Sequence, residues 1–347
     1  MRNYDLKNET KPFLDQSFIA KIAFIFESKG RADNVSAIKP EILEHLLQSA
    51  IIESTISSNR IEGINTSDNR AREILSGSAK PANRSENEIL GYQKCLKKVH
   101  KEFESIPISS AEILKLHKLL FSYQESPFAG KYKTDDNVIE ETDATGKKAV
   151  RFVPTSYLEA PMELELLCSA YNDSIRKKDI NPLLLIPVFV LDFLCIHPFQ
   201  DGNGRMSRLL TLLLLYKNGF NIGKYISIEK AVEETKEGYY QALKNSSYDW
   251  HSGNNDTAYF GQYLLEIVIY CYKEFENRTL FIQSKESKFQ RIKTFIDDNI
   301  GLITKKDIKE HCPDISVTTI ELTLSTLLNQ GYILKKSGGR FSSYQKA

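Results

Sequence analysis

Along most of this chain apolar residues recur every three to four positions, a pattern that predicts a mainly helical protein. The stretch from Pro40 to about Asn59, PEILEHLLQSAIIESTISSN, sets Ile42, Leu46, Leu47, Ile51 and Ile52 at helical spacing, so one face of that helix packs on a core. SENE at Ser85–Glu88 and SSAE around Ser109–Glu112 both fit a capping box, in which a hydroxyl and a carboxylate satisfy free amides ahead of an amphipathic helix. From 182 to 217 the pattern reads helix, turn, helix. PLLLIPVFVL and LLTLLLLY in that span are too short to cross a bilayer and read as helices buried on most sides. Further helices are predicted at about 229–245 and 259–282.

One stretch breaks the period. Residues 130–154, GKYKTDDNVIEETDATGKKAVRFVP, hold two β-rich runs divided by DATG, which predicts a hairpin inside a helical protein. Such an excursion is either a plain surface feature or an exposed strand edge able to pair with an extended peptide. Near the C-terminus, three helices (287–299, 304–311 and 316–329) and a hairpin with a Gly-Gly turn follow one another, an order that predicts a winged helix. The chain thus divides into a helical region at 1–84, a central unit at 85–283 with its trailing helices, and a small α+β unit at 284–347.

Composition narrows the class without naming a partner. A length of 347 residues corresponds to about two domains, and 41% hydrophobic residues is enough to fill a sizeable core. A net charge of +1 exerts no global pull toward nucleic acid or an anionic membrane. Cys95, Cys168, Cys195, Cys271 and Cys312 form no metal-ligand spacing, and four of them sit in apolar helical patterns, which reads as reduced thiols in a cytoplasmic protein. The segment MRNYDLKNETKPF lacks the apolar run of a secretory signal.

The chemistry is concentrated at HPFQDGNGRMSR, residues 197–208. Gly202, Asn203 and Gly204 open a helix, where exposed amides and the helix dipole favour an anion. Arg205 and Arg208, three apart, fall on one helical face and suit a second set of phosphate oxygens. Asp201 beside that anion hole is a hard ligand for Mg²⁺. His197 is the nearby group suited to taking a proton from a hydroxyl. Alone, each piece is more often a core histidine or a plain loop. Together they form a cluster of anion-seeking groups that packing does not explain.

This motif resembles the Fic-domain signature H-P-F-x-[D/E]-G-N-G-R-x-x-R at every fixed position. The resemblance spans about 85–245 and implies transfer of AMP from ATP, with Mg²⁺, to a Ser, Thr or Tyr hydroxyl of a protein. It implies His197 as general base and Asp201 as metal ligand. Gly202, Asn203 and Gly204 would hold the α- and β-phosphates, with Arg205 on the β-phosphate and Arg208 on the γ-phosphate. Phe199 would anchor the motif in the core. SNRIEG, Ser58 to Gly63, fits the family's inhibitory motif [S/T]-x-x-x-E-[G/N], implying that Glu62 competes for Arg208. The hairpin corresponds in order to the target-binding flap, with Lys131, Tyr132, Lys133 and Thr134 as contact residues. Tyr240, with Tyr239, is a candidate wall of the adenine pocket.

Two departures stand out: Asp192 replaces a histidine found in many members, and Lys133 stands where arginine is common. Expected partners are a protein with an acceptor hydroxyl, this chain itself as another acceptor, and a second copy in a homodimer; no membrane is expected. The C-terminal unit has eleven Lys/Arg against seven Asp/Glu, yet SVTTIELTLSTLLNQ holds no Lys or Arg, so a protein-docking or dimer-forming role is favoured over DNA. The rival readings are a nucleotide-sensing DNA-binding regulator using Lys335, Lys336 and Arg340, removal of AMP with Glu62 positioning water, and transfer of another phosphate-linked group. Gly204 argues against phosphoryl transfer, because the phosphorylating relatives carry lysine there.

Overall fold

The computed structural model describes residues 2, 4–13, 15–33, 40–142, 148–283, 287–299, 301–337 and 342–347. It is mainly helical, and two hydrophobic cores divide it. The larger runs from Leu6 to Phe275, so residues on both sides of position 84 share it. The smaller joins Ile292, Ile308, Ile320, Leu324 and Leu327 near the C-terminus.

At the centre lie two antiparallel neighbours, Pro182–Ile196 and Asn203–Lys217, whose leucine-rich sequences are buried nearly all round. They pack on each other, and the second also meets Arg84–Glu102 and Pro40–Ile61. The long helix Ala258–Gln283 packs on Pro182–Ile196 and on Gln16–Asp33. Ile42, Leu46 and Ile51 face the core as their spacing predicts, which fixes the rotation of Pro40–Ile61 and hence of its last turn.

Several local expectations are corrected. The cap of Arg84–Glu102 is Asn83, not Ser85: its Oδ1 accepts from the Glu86 amide at 2.9 Å, and the Glu86 carboxylate reaches back to the Ala82 amide at 2.6 Å. Asn83→Ala should lower the unfolding free energy by about 1 kcal/mol, while Ser85→Ala stays within about 0.5, as read by urea denaturation. Ser109 does cap its helix. The helix expected over 229–245 breaks at Thr235, whose hydroxyl donates to Ala231 O at 2.7 Å, leaving Ile228–Glu234 and Lys236–Ser247.

The hairpin is shorter than the sequence predicts. Among the described residues only Ile139–Thr142 and Lys148–Phe152 pair, antiparallel, and the DATG turn lies outside them. In the C-terminal unit the helices Lys288–Asp298, Lys305–His311 and Val317–Asn329 agree with the expected order. The two-residue strand Ile303–Thr304, not anticipated, joins Ser343–Lys346 and Ile333–Lys335 in an antiparallel sheet with Ser343–Lys346 central. The Gly-Gly turn and Arg340 lie outside the described residues.

Candidate active site

The helix Pro182–Ile196 stops at His197, which takes the left-handed conformation (φ 51°) as its C-cap. That turn aims the imidazole into the space ahead of the next helix. Its Nδ1 lies 3.2 Å from Leu194 O; a carbonyl only accepts, so Nδ1 carries the proton and Nε2 keeps a lone pair. Burial pushes the ring down to about 4, with Lys133 and Arg151 adding to the effect against the Leu194 bond. The ring is therefore neutral near pH 7 and able to take a proton.

Gly202 caps the helix Asn203–Lys217 with φ 85°, and no side chain bonds to the cap position, so the first-turn amides remain free for an anion. The side chain of Asn203 does not join them. It is turned back, accepting from Phe199 N at 3.0 Å and donating to Phe199 O at 2.8 Å, so that it ties the turn together and only its main chain faces the hole. Gly204 is required for another reason: a Cβ there would fall 2.1 Å from Glu62 Oε1.

The two arginines separate. Arg205 is 1% exposed and its Nη1 meets Glu88 at 2.6 Å, with Asp201 at 3.4 Å from Nη2. It is committed to Glu88, where a phosphate contact was expected. Arg208 donates through Nε to Ser58 Oγ and through Nη2 to Ser58 O and Glu62 Oε1, each at 2.8 Å. Its Nη1 is buried with no hydrogen-bond partner. Burial alone would lower Arg208, but Glu62 together with Tyr239 and Tyr92 outweighs it and keeps the guanidinium charged. SNRIEG places this carboxylate because Glu62 directly follows the helix Pro40–Ile61 and Gly63 (φ 77°) closes the turn.

Residues 107–215 match the Fic/DOC family. This stretch is a Fic domain. The chain is 28% identical over 188 residues to Protein adenylyltransferase Fic of Nematostella vectensis, covering 51% of this chain and 40% of that protein. It therefore spans less than half the length of this curated relative. The fold resembles a Fic-domain-containing signaling protein from Bacteroides thetaiotaomicron, with a TM-score of 0.61, 23% identity, and coverage of 73% of this chain and 94% of that one. It also resembles a Fic family protein from Desulfovibrio desulfuricans, with a TM-score of 0.61, 17% identity, and coverage of 96% and 97%.

A cavity of about 540 Å³ joins His197 and Gly204 of this Fic domain, with Arg151, to Glu62, Tyr239 and Tyr240 from the segments flanking it. Tyr239 is buried and Tyr240 half-buried, with the Tyr240 hydroxyl 3.5 Å from Ile61 O. Lys244 grips Glu141 at 2.7 Å, holding the hairpin across the cavity. Asp201 is partly exposed between Arg84 and Arg205. It is a single carboxylate, and among the described residues no group of three metal-ligating side chains exists. It fits Mg²⁺ only where phosphates and water complete the shell.

Of the expected flap contacts Lys131, Tyr132, Lys133 and Thr134, only Lys133 is corrected. Lys131–Thr134 precede the strands, and Lys133 is 3% exposed, its Nζ donating to Thr155 O at 2.6 Å and to Asn137 Oδ1 at 3.0 Å. Burial pulls Lys133 down to about 8, against the attraction of Asp136. It anchors the base of the hairpin. Asp192 lies away from the cavity, fully buried, accepting from the Trp250 indole at 2.7 Å with Arg2 at 3.7 Å. It is a strut rather than a reactant.

Two site residues were not anticipated. Glu88 fixes Arg205, and His117 fixes the motif loop. Gly130 N donates to His117 Nδ1 at 3.0 Å, so its Nε2 donates to Asp201 O, also at 3.0 Å, while the ring stacks on Phe199 at 3.8 Å. No local signal marks either one, because their partners lie 117 and 84 residues away.

Proposed function

We propose that this protein is an adenylyltransferase that moves AMP from ATP to a Ser, Thr or Tyr hydroxyl of a protein and is held inactive by its own Glu62. The observation that carries the reading is a neutral His197 with its lone pair on Nε2, in one cavity with a glycine-edged helix N-terminus. In the reaction the acceptor oxygen bonds to the α-phosphorus, the bond to the α,β-bridging oxygen breaks, and pyrophosphate leaves. Nε2 receives the hydroxyl proton, and the first-turn amides of Asn203–Lys217 hold phosphate oxygens. Asp201 would hold Mg²⁺ together with those phosphates, and the ion supplies charge neutralisation.

Arg208 would meet the γ-phosphate. In the present arrangement Glu62 Oε1 occupies that guanidinium at 2.8 Å, which supports autoinhibition. The same carboxylate faces the cavity and so favours a second reading, removal of AMP with Glu62 positioning water; loss of hydrolysis in Glu62→Ala supports it. The C-terminal unit is read as a winged helix for protein docking, since the helix Val317–Asn329 carries no Lys or Arg and exposes Val317 and Leu322.

The test is intact mass after incubation with ATP and Mg²⁺ and a hydroxyl-bearing acceptor, this chain included. An AMP increment supports the transferase; none in any variant, with ATP bound, favours the nucleotide-sensing regulator. The pH profile adds a sharper check. A histidine held near 4 loses its basic form only as pH falls toward 4, so the rate stays level from pH 8 to about 5. A fall centred near 6.5 would place the base in solvent instead.

A further inference from the structure

Away from the cavity, six side chains of alternating charge run from the helices around the Fic domain onto the C-terminal unit. Glu233 lies 3.9 Å from Arg60. Arg60 pairs with Asp68. Asp68 meets Lys306 at 3.4 Å, Lys306 meets Glu310 at 3.7 Å, and Glu310 meets Arg72 at 3.0 Å. All six line one polar cleft of about 330 Å³. Lys306 and Glu310 share the helix Lys305–His311 of the C-terminal unit, and Asp68 and Arg72 share the helix Asp68–Leu75.

The position of Arg60 gives this chain of charges its consequence. It belongs to the last turn of Pro40–Ile61, two residues before Glu62, and Gly63 N bonds to its carbonyl at 2.9 Å. A helix terminus ending in a glycine frays first unless its side chains are tied. Here the tie is Asp68, and Asp68 is shared with Lys306. Burial would raise the Asp68 carboxyl, yet Arg60 and Lys306 hold it below its usual range.

We propose that the C-terminal unit is a regulatory input that sets how firmly Glu62 occupies Arg208, through the relay Lys306–Asp68–Arg60. The proposal rests on the inhibitory reading of Glu62 and adds what controls it. Side chains in the relay are between 20% and 48% exposed, so each pair is individually weak and the latch is releasable. Docked, the unit steadies the last turn; lifted away by whatever binds it, the turn loosens and ATP gains Arg208.

The test compares ATP affinity by calorimetry and AMP incorporation by mass in the full chain. Arg72→Glu combined with Lys306→Glu removes the two ion pairs Arg72–Glu310 and Lys306–Asp68 that join the units among the described residues and should tighten ATP and raise incorporation about three- to tenfold. Lys306→Arg, keeping the charge, leaves both unchanged. Arg72→Ala and Lys306→Ala, milder, each give part of the effect. In a Glu62→Gly background the double substitution should do nothing, because the carboxylate it releases is gone. The proposal is overturned if the double variant matches the parent while Glu62→Gly binds ATP more tightly, or if it acts equally in both backgrounds. If Glu62→Gly itself fails to tighten ATP, the inhibitory reading falls, and the relay with it.

Discussion

Glu62→Gly should raise AMP incorporation by about ten- to a hundredfold. A hydrogen bond to a charged group contributes about 1.5–3 kcal/mol, which sets that range if Glu62 and the γ-phosphate compete for one guanidinium. The same substitution should make the nucleotide-free protein melt earlier. Arg208 is 5% exposed and keeps Ser58 Oγ and O as partners, but loses its counterion. Added ATP should then raise the melting temperature of Glu62→Gly more than that of the parent, because phosphate restores the missing charge. Thermal shift with and without ATP and Mg²⁺, alongside intact mass, reads both effects. Equal incorporation by parent and variant would leave the Glu62–Arg208 pair as structure alone.

What could be read from the sequence follows the range of the interactions. The helix-turn-helix at 182–217 and the free amides at Gly202–Gly204 come from contacts within a few residues, so periodicity and glycine placement reveal them. Arg205 shows the limit. Spacing puts it on a helical face beside Arg208, but its actual partner is Glu88 on another helix, and no local pattern specifies that pairing. Asn203 was legible as a helix-opening amide, but the role of its short side chain was not, since it can serve a ligand or the turn, and here it bonds Phe199. The family resemblance implies Lys133 as a flap contact; three oxygen acceptors arriving from Thr155, Asn137 and Ile196 bury it instead. The hairpin was legible as β-rich, while its first strand starts only at Ile139, beyond the segment that Lys133 anchors, a long-range tie that propensity does not report.

His197→Asn should abolish incorporation, lowering it by about a hundred- to ten-thousandfold in the Glu62→Gly background. Asparagine is the informative choice. Position 197 has φ 51°, a conformation asparagine tolerates, whereas alanine there adds backbone strain of about 1 kcal/mol and confuses stability with chemistry. Asparagine cannot accept a proton at neutral pH, so the base is removed while the turn into Gly202–Gly204 stays in place. ATP affinity should change less than about threefold, because the nucleotide's anion site is built from the following helix rather than from the imidazole. A lost rate with retained binding separates proton removal from phosphate binding. Retention of the rate within about fivefold would move the acceptor's proton elsewhere, and Lys133, brought down to about 8 and close enough to influence the His197 ring, would become the group to replace next.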